Sequence, residues 1–289
     1  MQFRMNGAAS RGALTNLGRW SRLALACSAT ALAATTASAQ VKISQVYGSG
    51  GNTGTPLFSD YIEICNTGAP QLLTGWSVQY ASSTGTTWTV TALPAVTLGT
   101  GQYLLVNEGT GATLPVGQVP ANPAADASGA IAMSGSDAKV ALVSSTVALV
   151  GGVPTFAGAP TLVDLIGMGT ATWNETAAAG GAFAAANNAP AMSAAYAIYR
   201  RGCGATDTNS NRNDCAAGFP APRNTATALG NGMTVIGSAL PLTLEELQSA
   251  RLTATAYRCG TEDLGAGTTL SIDLTAIGGG ATAMVDDGT

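Results

Sequence analysis

The chain has no histidine among its 289 residues, only two lysines (Lys42 and Lys139), and a charged fraction of 10%. Without histidine there is no Ser-His-Asp or Cys-His nucleophile system, no His-ligated zinc and no His-dependent phosphoesterase site. With so little charge, solubility falls to hydroxyls and exposed backbone in a chain rich in Gly, Ala, Thr and Ser. Eight of the 12 basic residues and all 16 acids lie beyond residue 39, giving that part a net charge of −8. This balance repels phosphate backbones, so no nucleic-acid binding is expected of it. Long apolar runs are also lacking: none approaches the roughly 20 residues of a spanning helix, so no transmembrane anchor is expected.

The first segment points to export. Arg4, Arg11, Arg19 and Arg22 precede a short apolar run over 23–34, and no acid accompanies them. Ala37-Ser38-Ala39 then offers a small-residue cleavage site before Gln40. This order is that of a secretory signal peptide cut between Ala39 and Gln40. A lipoprotein site at Ala24-Leu25-Ala26-Cys27 is the rival reading. It leaves few apolar residues before the cut and puts Ala24 where leucine is preferred. A secreted protein, periplasmic or extracellular, is expected.

Beyond residue 40 the chain reads as short strands separated by turn residues: 41–47, 60–65, 75–80, 87–91, 102–107, 139–144 and 161–166. Strands at this spacing without helical periodicity between them predict an all-β sandwich or barrel. The Ala/Gly/Asn-rich stretch 177–195 is expected to be a surface loop, broken by Gly180-Gly181 and Pro190. The Pro/Thr/Ala/Gly stretch 220–232 reads as a domain boundary. Past it, Thr243-Leu244-Glu245-Glu246 reads as a capping box opening a helix to about Arg251. Further strands are expected over 251–258 and 268–275.

Seven motifs in order resemble bacterial lamin-tail domains. They begin with Val41-Lys42-Ile43-Ser44-Gln45-Val46-Tyr47, Asp60-Tyr61-Ile62-Glu63-Ile64 with Asn66, and Leu73-Thr74-Gly75-Trp76-Ser77-Val78-Gln79-Tyr80. Gly101-Gln102-Tyr103-Leu104-Leu105-Val106, Lys139-Val140-Ala141-Leu142-Val143 and Val163-Asp164-Leu165-Ile166-Gly167 follow. The last is Asp207-Thr208-Asn209-Ser210-Asn211 leading to Pro220-Ala221-Pro222-Arg223-Asn224. The resemblance implies an immunoglobulin-like β-sandwich over 40–226. Trp76, after Gly75, is expected to anchor its core, since such a ring buries up to about 250 Å². Glu63, amid apolar neighbours, is expected to hydrogen-bond a loop amide. The stretch from Ile272 to Ala281 and then Asp286-Asp287-Gly288-Thr289 resembles the opening half of a bacterial immunoglobulin-like repeat. Two or three strands cannot bury a sandwich face, so 227–289 is expected to be a linker and an incomplete domain of a truncated product.

Four cysteines lie beyond the leader: Cys65, Cys203, Cys215 and Cys259, an even number for an oxidising compartment. Three pairings are open. Cys203–Cys215 is preferred because it closes a short polar loop, where a bridge contributes about 3 kcal/mol. Relatives often carry a cysteine where Trp173 stands, facing the equivalent of Cys203; its absence leaves Cys215 as the substitute. Cys65 and Cys259 are then left over. Inside the Cys203–Cys215 loop, oxygen-bearing Asp207, Asn209, Asn211 and Asp214 resemble the front of a calcium loop, without its glycine or distal glutamate. A self-bonded Asx-turn loop is the other reading. Arg200, Arg201, Arg212 and Arg223 surround it and are expected to be solvated or paired with its acids.

The function expected is that of a non-enzymatic accessory, interaction or surface-attachment module, with an unknown protein or cell-surface partner and no cofactor beyond weakly held calcium. The alternative comes from the resemblance: such domains are commonly fused ahead of extracellular nucleases and phosphoesterases of the endonuclease/exonuclease/phosphatase type. The chain would then be the non-catalytic front end of such an enzyme. A calcium-stabilised adhesin-like protein is a third reading, resting on the Asp207 loop and the acidic C-terminal turn.

Overall fold

The computed structural model describes residues 40–110 and 121–227 in full, together with the backbone of strands 233–240, 251–258, 271–273 and 281–283. The expected leader, residues 243–250 of the expected helix and Cys259 lie outside the described residues, while Arg251, where that helix is expected to end, opens a strand. The sheets are built from β1 (Val41–Tyr47), β2 (Tyr61–Asn66), β3 (Gln71–Leu72), β4 (Ser77–Ser82), β5 (Thr89–Ala92) and β6 (Thr97–Leu98). They continue with β7 (Tyr103–Asn107), β8 (Ala127–Ser128), β9 (Ala138–Val143), β10 (Leu162–Met168), β11 (Ala197–Arg200) and β12 (Cys215–Gly218). One sheet runs β12-β11-β1-β2-β7-β8 and the other β10-β9-β4-β5, with β3 and β6 as a small ribbon. Every pairing is antiparallel except that of β7 with β8. The fold is an all-β immunoglobulin-like sandwich.

The period of two along each strand supplies the core. Ile62 and Ile64 of β2 and Leu104 and Val106 of β7 meet Val78, Val140, Leu142 and Ile166 of the second sheet. The outer faces are covered as well. Tyr47, Tyr61, Leu105 and Tyr199 pack under Leu57, Ala125 and Ala221, while Val143 and Leu165 pack with Trp88 and Leu149. All seven residues of β1 are buried for this reason. Strands covered on both faces read as continuous apolar runs rather than clean alternation.

Details of several expectations now take shape. Trp76 packs against the main core but stays partly exposed, whereas Trp88 is 4% exposed and donates its indole N–H to the Gly151 carbonyl at 2.8 Å. Gly75 sits at φ +79° on the turn before β4, a left-handed position that favours glycine. The stretch 177–195 is largely irregular, yet it is tied down: Asn174 caps the short helix α1 (Glu175–Ala178), and its amide donates to Ala184 and Asn188. The segment read as a boundary is fastened to the first sheet as far as Thr225. Ala221 accepts from Gln45 Nε2 at 2.7 Å, and Thr225 N donates to Asp126 Oδ2 at 3.0 Å. Further on, β13 (Met233–Leu240) pairs with β14 (Arg251–Arg258), and β15 (Ser271–Asp273) with β16 (Ala281–Ala283).

Candidate functional site

A bulge in β1 builds the main charged cluster. The register with β2 shifts between Ile43 and Gln45, and β10 carries a matching irregularity between Leu162 and Asp164. Such bulges take backbone groups out of the ladder. Ile43 N donates to Asp164 Oδ2 at 2.7 Å, and the Ile43 carbonyl accepts from Arg200 Nε at 3.0 Å. Arg200 Nη2 closes the ring on Asp164 Oδ1 at 2.6 Å, with both side chains at most 2% exposed. Arg200 Nη1 lies 3.7 Å from both Glu175 Oε2 and Asp214 Oδ2. Burial alone would lower the Arg200 pKa, but Asp164 and Glu175 outweigh it and the net direction is up. Glu175 is pushed well above the usual carboxylate range, first by burial and then by the Asp164 charge.

Short helix α2 (Asn211–Asp214) joins β10 to this cluster through one side chain. Asn211 Oδ1 accepts from Gly167 N and Glu175 N, and its Nδ2 donates to the Leu165 carbonyl and Glu175 Oε2. Both ends of the amide are used up, so Asn211 is not available as a calcium ligand; it is a clasp between strand and helix. Asn209 is exposed at φ 56°. Asp214 accepts from Thr208 N, Thr208 Oγ1 and Ser210 N. Of the loop residues singled out by sequence, Asp207 and Asp214 do come together, and Glu175 joins them with carboxylate oxygens within 4.8 Å of one another. Glu175 went unnoticed because it lies on another element. The cation beside Glu175 and Asp214 is already present as Arg200, while Lys42 Nζ stands 3.7 Å from Asp207.

Several further charges are also turned inward. Glu63 accepts from Ser44 Oγ, Gln45 Nε2, Arg223 N at 2.6 Å and Arg223 Nη2 at 2.7 Å. The loop amide expected for Glu63 is therefore that of Arg223, with its guanidinium added and laid 3.7 Å over the Tyr103 ring. Arg223 thus pairs with Glu63 and not with the loop acids, and Arg201 and Arg212 are exposed. Lys139 is buried and donates to the carbonyls of Gly85 and Gly152, and burial lowers its pKa. At the far end of β2, Asp60 accepts from Gly50 N and Met133 N. Burial, with a smaller push from Glu108, raises Asp60 to about 7.

The Cys203–Cys215 bridge is not formed. Cys215 is free, begins β12 and packs in the main core, whereas Cys203 sits at φ 58° on the 3-10 turn Gly202–Gly204. Cys65 is likewise free and buried. Burial pushes both free thiols up to about 12. Neither Cys65 nor Cys215 should react with a maleimide in the native protein, and both should react in denaturant. Peptide mapping of the labelled chain checks this, and native labelling of either residue contradicts it.

A family model described as the Lamin Tail Domain matches residues 34–156, less than half of the chain. Within it fall β1 to β9; β10, β11 and β12, which complete both sheets, lie beyond. A comparison with curated proteins gave no match. No helix among the described residues is long and apolar enough to cross a membrane.

Proposed function

We propose that this chain, which carries a lamin tail domain over residues 34–156, is an exported, non-enzymatic interaction module that attaches to a protein or cell-surface component. A lamin tail domain is itself a non-catalytic immunoglobulin-like unit. The observation that carries the reading is the state of the charged side chains. Arg200, Asp164, Glu175, Asp214, Glu63, Arg223 and Lys139 are all buried and bonded to the chain's own groups. Among the residues described in full, Arg201 and Arg212 are exposed, Asp126, Asp137 and Asp207 are half-buried, and every other charged side chain is buried. A general acid or nucleophile must reach its substrate, and these groups face the interior. Arg200, 3.7 Å from both Glu175 and Asp214, supports holding these acids by a side chain and not by a metal ion. The basic, then apolar, then small-residue order of the first 39 residues supports export.

The test is to express the whole chain with its leader in a bacterium. The exported fraction should have a mass beginning at Gln40, and it should leave DNA, RNA and p-nitrophenyl phosphate intact with magnesium or manganese present. A retained leader would sink the export reading. Metal-dependent hydrolysis by the purified chain would sink the non-enzymatic one.

A further inference from the structure

The two flanks of the sandwich are finished differently. On one, α2 and the Arg200 cluster lie between β12 and β10. On the other, β5 and β8 end their sheets, and between them runs a cleft of about 370 Å³ lined by Thr89–Ala92 and Ser128–Ile131.

The register of β5 decides what this cleft offers. Leu93 N donates to the Trp76 carbonyl at 2.8 Å, which makes that pair hydrogen-bonded in the β4–β5 ladder. Antiparallel pairs alternate, so Thr89 and Thr91 bond β4, while Val90 and Ala92 turn their N–H and C=O groups outward. Among the described residues neither has a backbone partner on that side. Two donors and two acceptors thus repeat about 6.8 Å apart, the spacing of alternate residues in a strand. None of Thr89–Ala92 is charged or proline, the usual means of blunting an edge.

The facing wall restricts what can enter. Gly129 and Ala130 are small, and the open space beside β5 is lined only by small or uncharged side chains, which favours a guest with small side chains. Behind Gly129 lies the Glu108 carboxyl: a Cβ on Gly129 would run into its Oε2 and into Thr91 Oγ1. Glu108 Oε1 is buried with no partner. The cleft lining holds no cation to pair with an acidic guest, and the group behind Gly129 and Thr91 is itself an acid.

We propose that the cleft binds an extended peptide by strand addition to β5, and that the peptide has small side chains and no acid. Strand addition draws affinity from main-chain hydrogen bonds and selectivity from alternate side chains. The proposal rests on the interaction-module reading and specifies the chemistry of its partner.

The test titrates the exported, isotope-labelled chain with acetyl-Thr-Val-Thr-Val-Thr-amide, and with the same peptide carrying aspartate at its centre. The amide signals of Val90 and Ala92 should shift and gain protection, with a Kd of roughly 0.1–1 mM for the first peptide. The aspartate peptide should bind at least about tenfold more weakly. Val90→Pro removes an N–H that the β4 ladder does not use, so it should keep the melting temperature while weakening binding about tenfold. Val90→Thr should bind as the unaltered chain does. Should Val90→Pro fail to fold, Ala130→Phe fills the cleft from the other wall and should abolish the shifts. The proposal is overturned by unshifted Val90 and Ala92 amides at millimolar peptide, or by equal binding to the blocked variants. Protection of these amides by self-association without peptide also overturns it, giving the edge to a second copy. A failed titration without hydrolysis leaves the interaction-module reading standing; metal-dependent hydrolysis defeats that reading whatever the cleft does.

Discussion

Arg200→Met should lower the free energy of unfolding by about 3–5 kcal/mol, the usual result of removing one partner from a buried ion cluster. The guanidinium bonds Ile43 and Thr206 carbonyls and Asp164, and it stands beside Glu175 and Asp214. Methionine replaces its length but none of its donors, so the carboxylates stay buried without a cation and the bulge in β1 loses a backbone partner. The deficit should shrink at low pH, where protonation relieves the stranded acids. Urea unfolding at pH 5 and pH 8 measures both effects. A loss below about 1 kcal/mol would mean that the cluster contributes little to holding the flank together.

Stability should fall as pH rises from 5 to 8, and Asp60 should account for much of the fall. Its folded pKa of about 7 stands above the ordinary aspartate value of 3.8. The folded state therefore holds a proton that the unfolded state has released. Asp60's contribution is fully present below the unfolded value and is lost as pH rises through about 7. The difference corresponds to roughly 4 kcal/mol at most. Glu108 and Glu175 are raised too, and act in the same direction. Asp60→Asn cannot titrate, so its unfolding energy should change much less over this range, although the amide accepts only one of the two N–H groups now bonded. Equal pH slopes in the two proteins would show that Asp60 is not the titrating group.

The strands rich in branched and aromatic residues were legible because both faces of each are covered. Those expected over 41–47 and 60–65 form at 41–47 and 61–66. Strands β11 and β12 were not legible. Cys215-Ala216-Ala217-Gly218 has no strand preference of its own and is extended because Ala197–Arg200 pairs with it. The charged cluster was out of reach for a related reason. Arg200 meets Asp164 across 36 residues, and Arg223 meets Glu63 across 160. No local pattern encodes such partners. Asn211 shows the opposite failure: alternate oxygen-bearing side chains suit a calcium loop and a self-bonded loop equally well. What decides is the direction of the Asn211 amide, inward to Leu165, Gly167 and Glu175.

The central claim is that the charged groups of this sandwich are structural and that Arg200 stands where a cation would otherwise be required. Calorimetric melting of the exported chain with and without millimolar calcium tests it most directly. The melting temperature should stay within about 1 °C, since a ligand that does not bind the folded state gives no stabilisation. A rise of about 5 °C or more that disappears in Asp214→Asn would contradict the claim, because saturable binding to the folded state raises the melting point in this way.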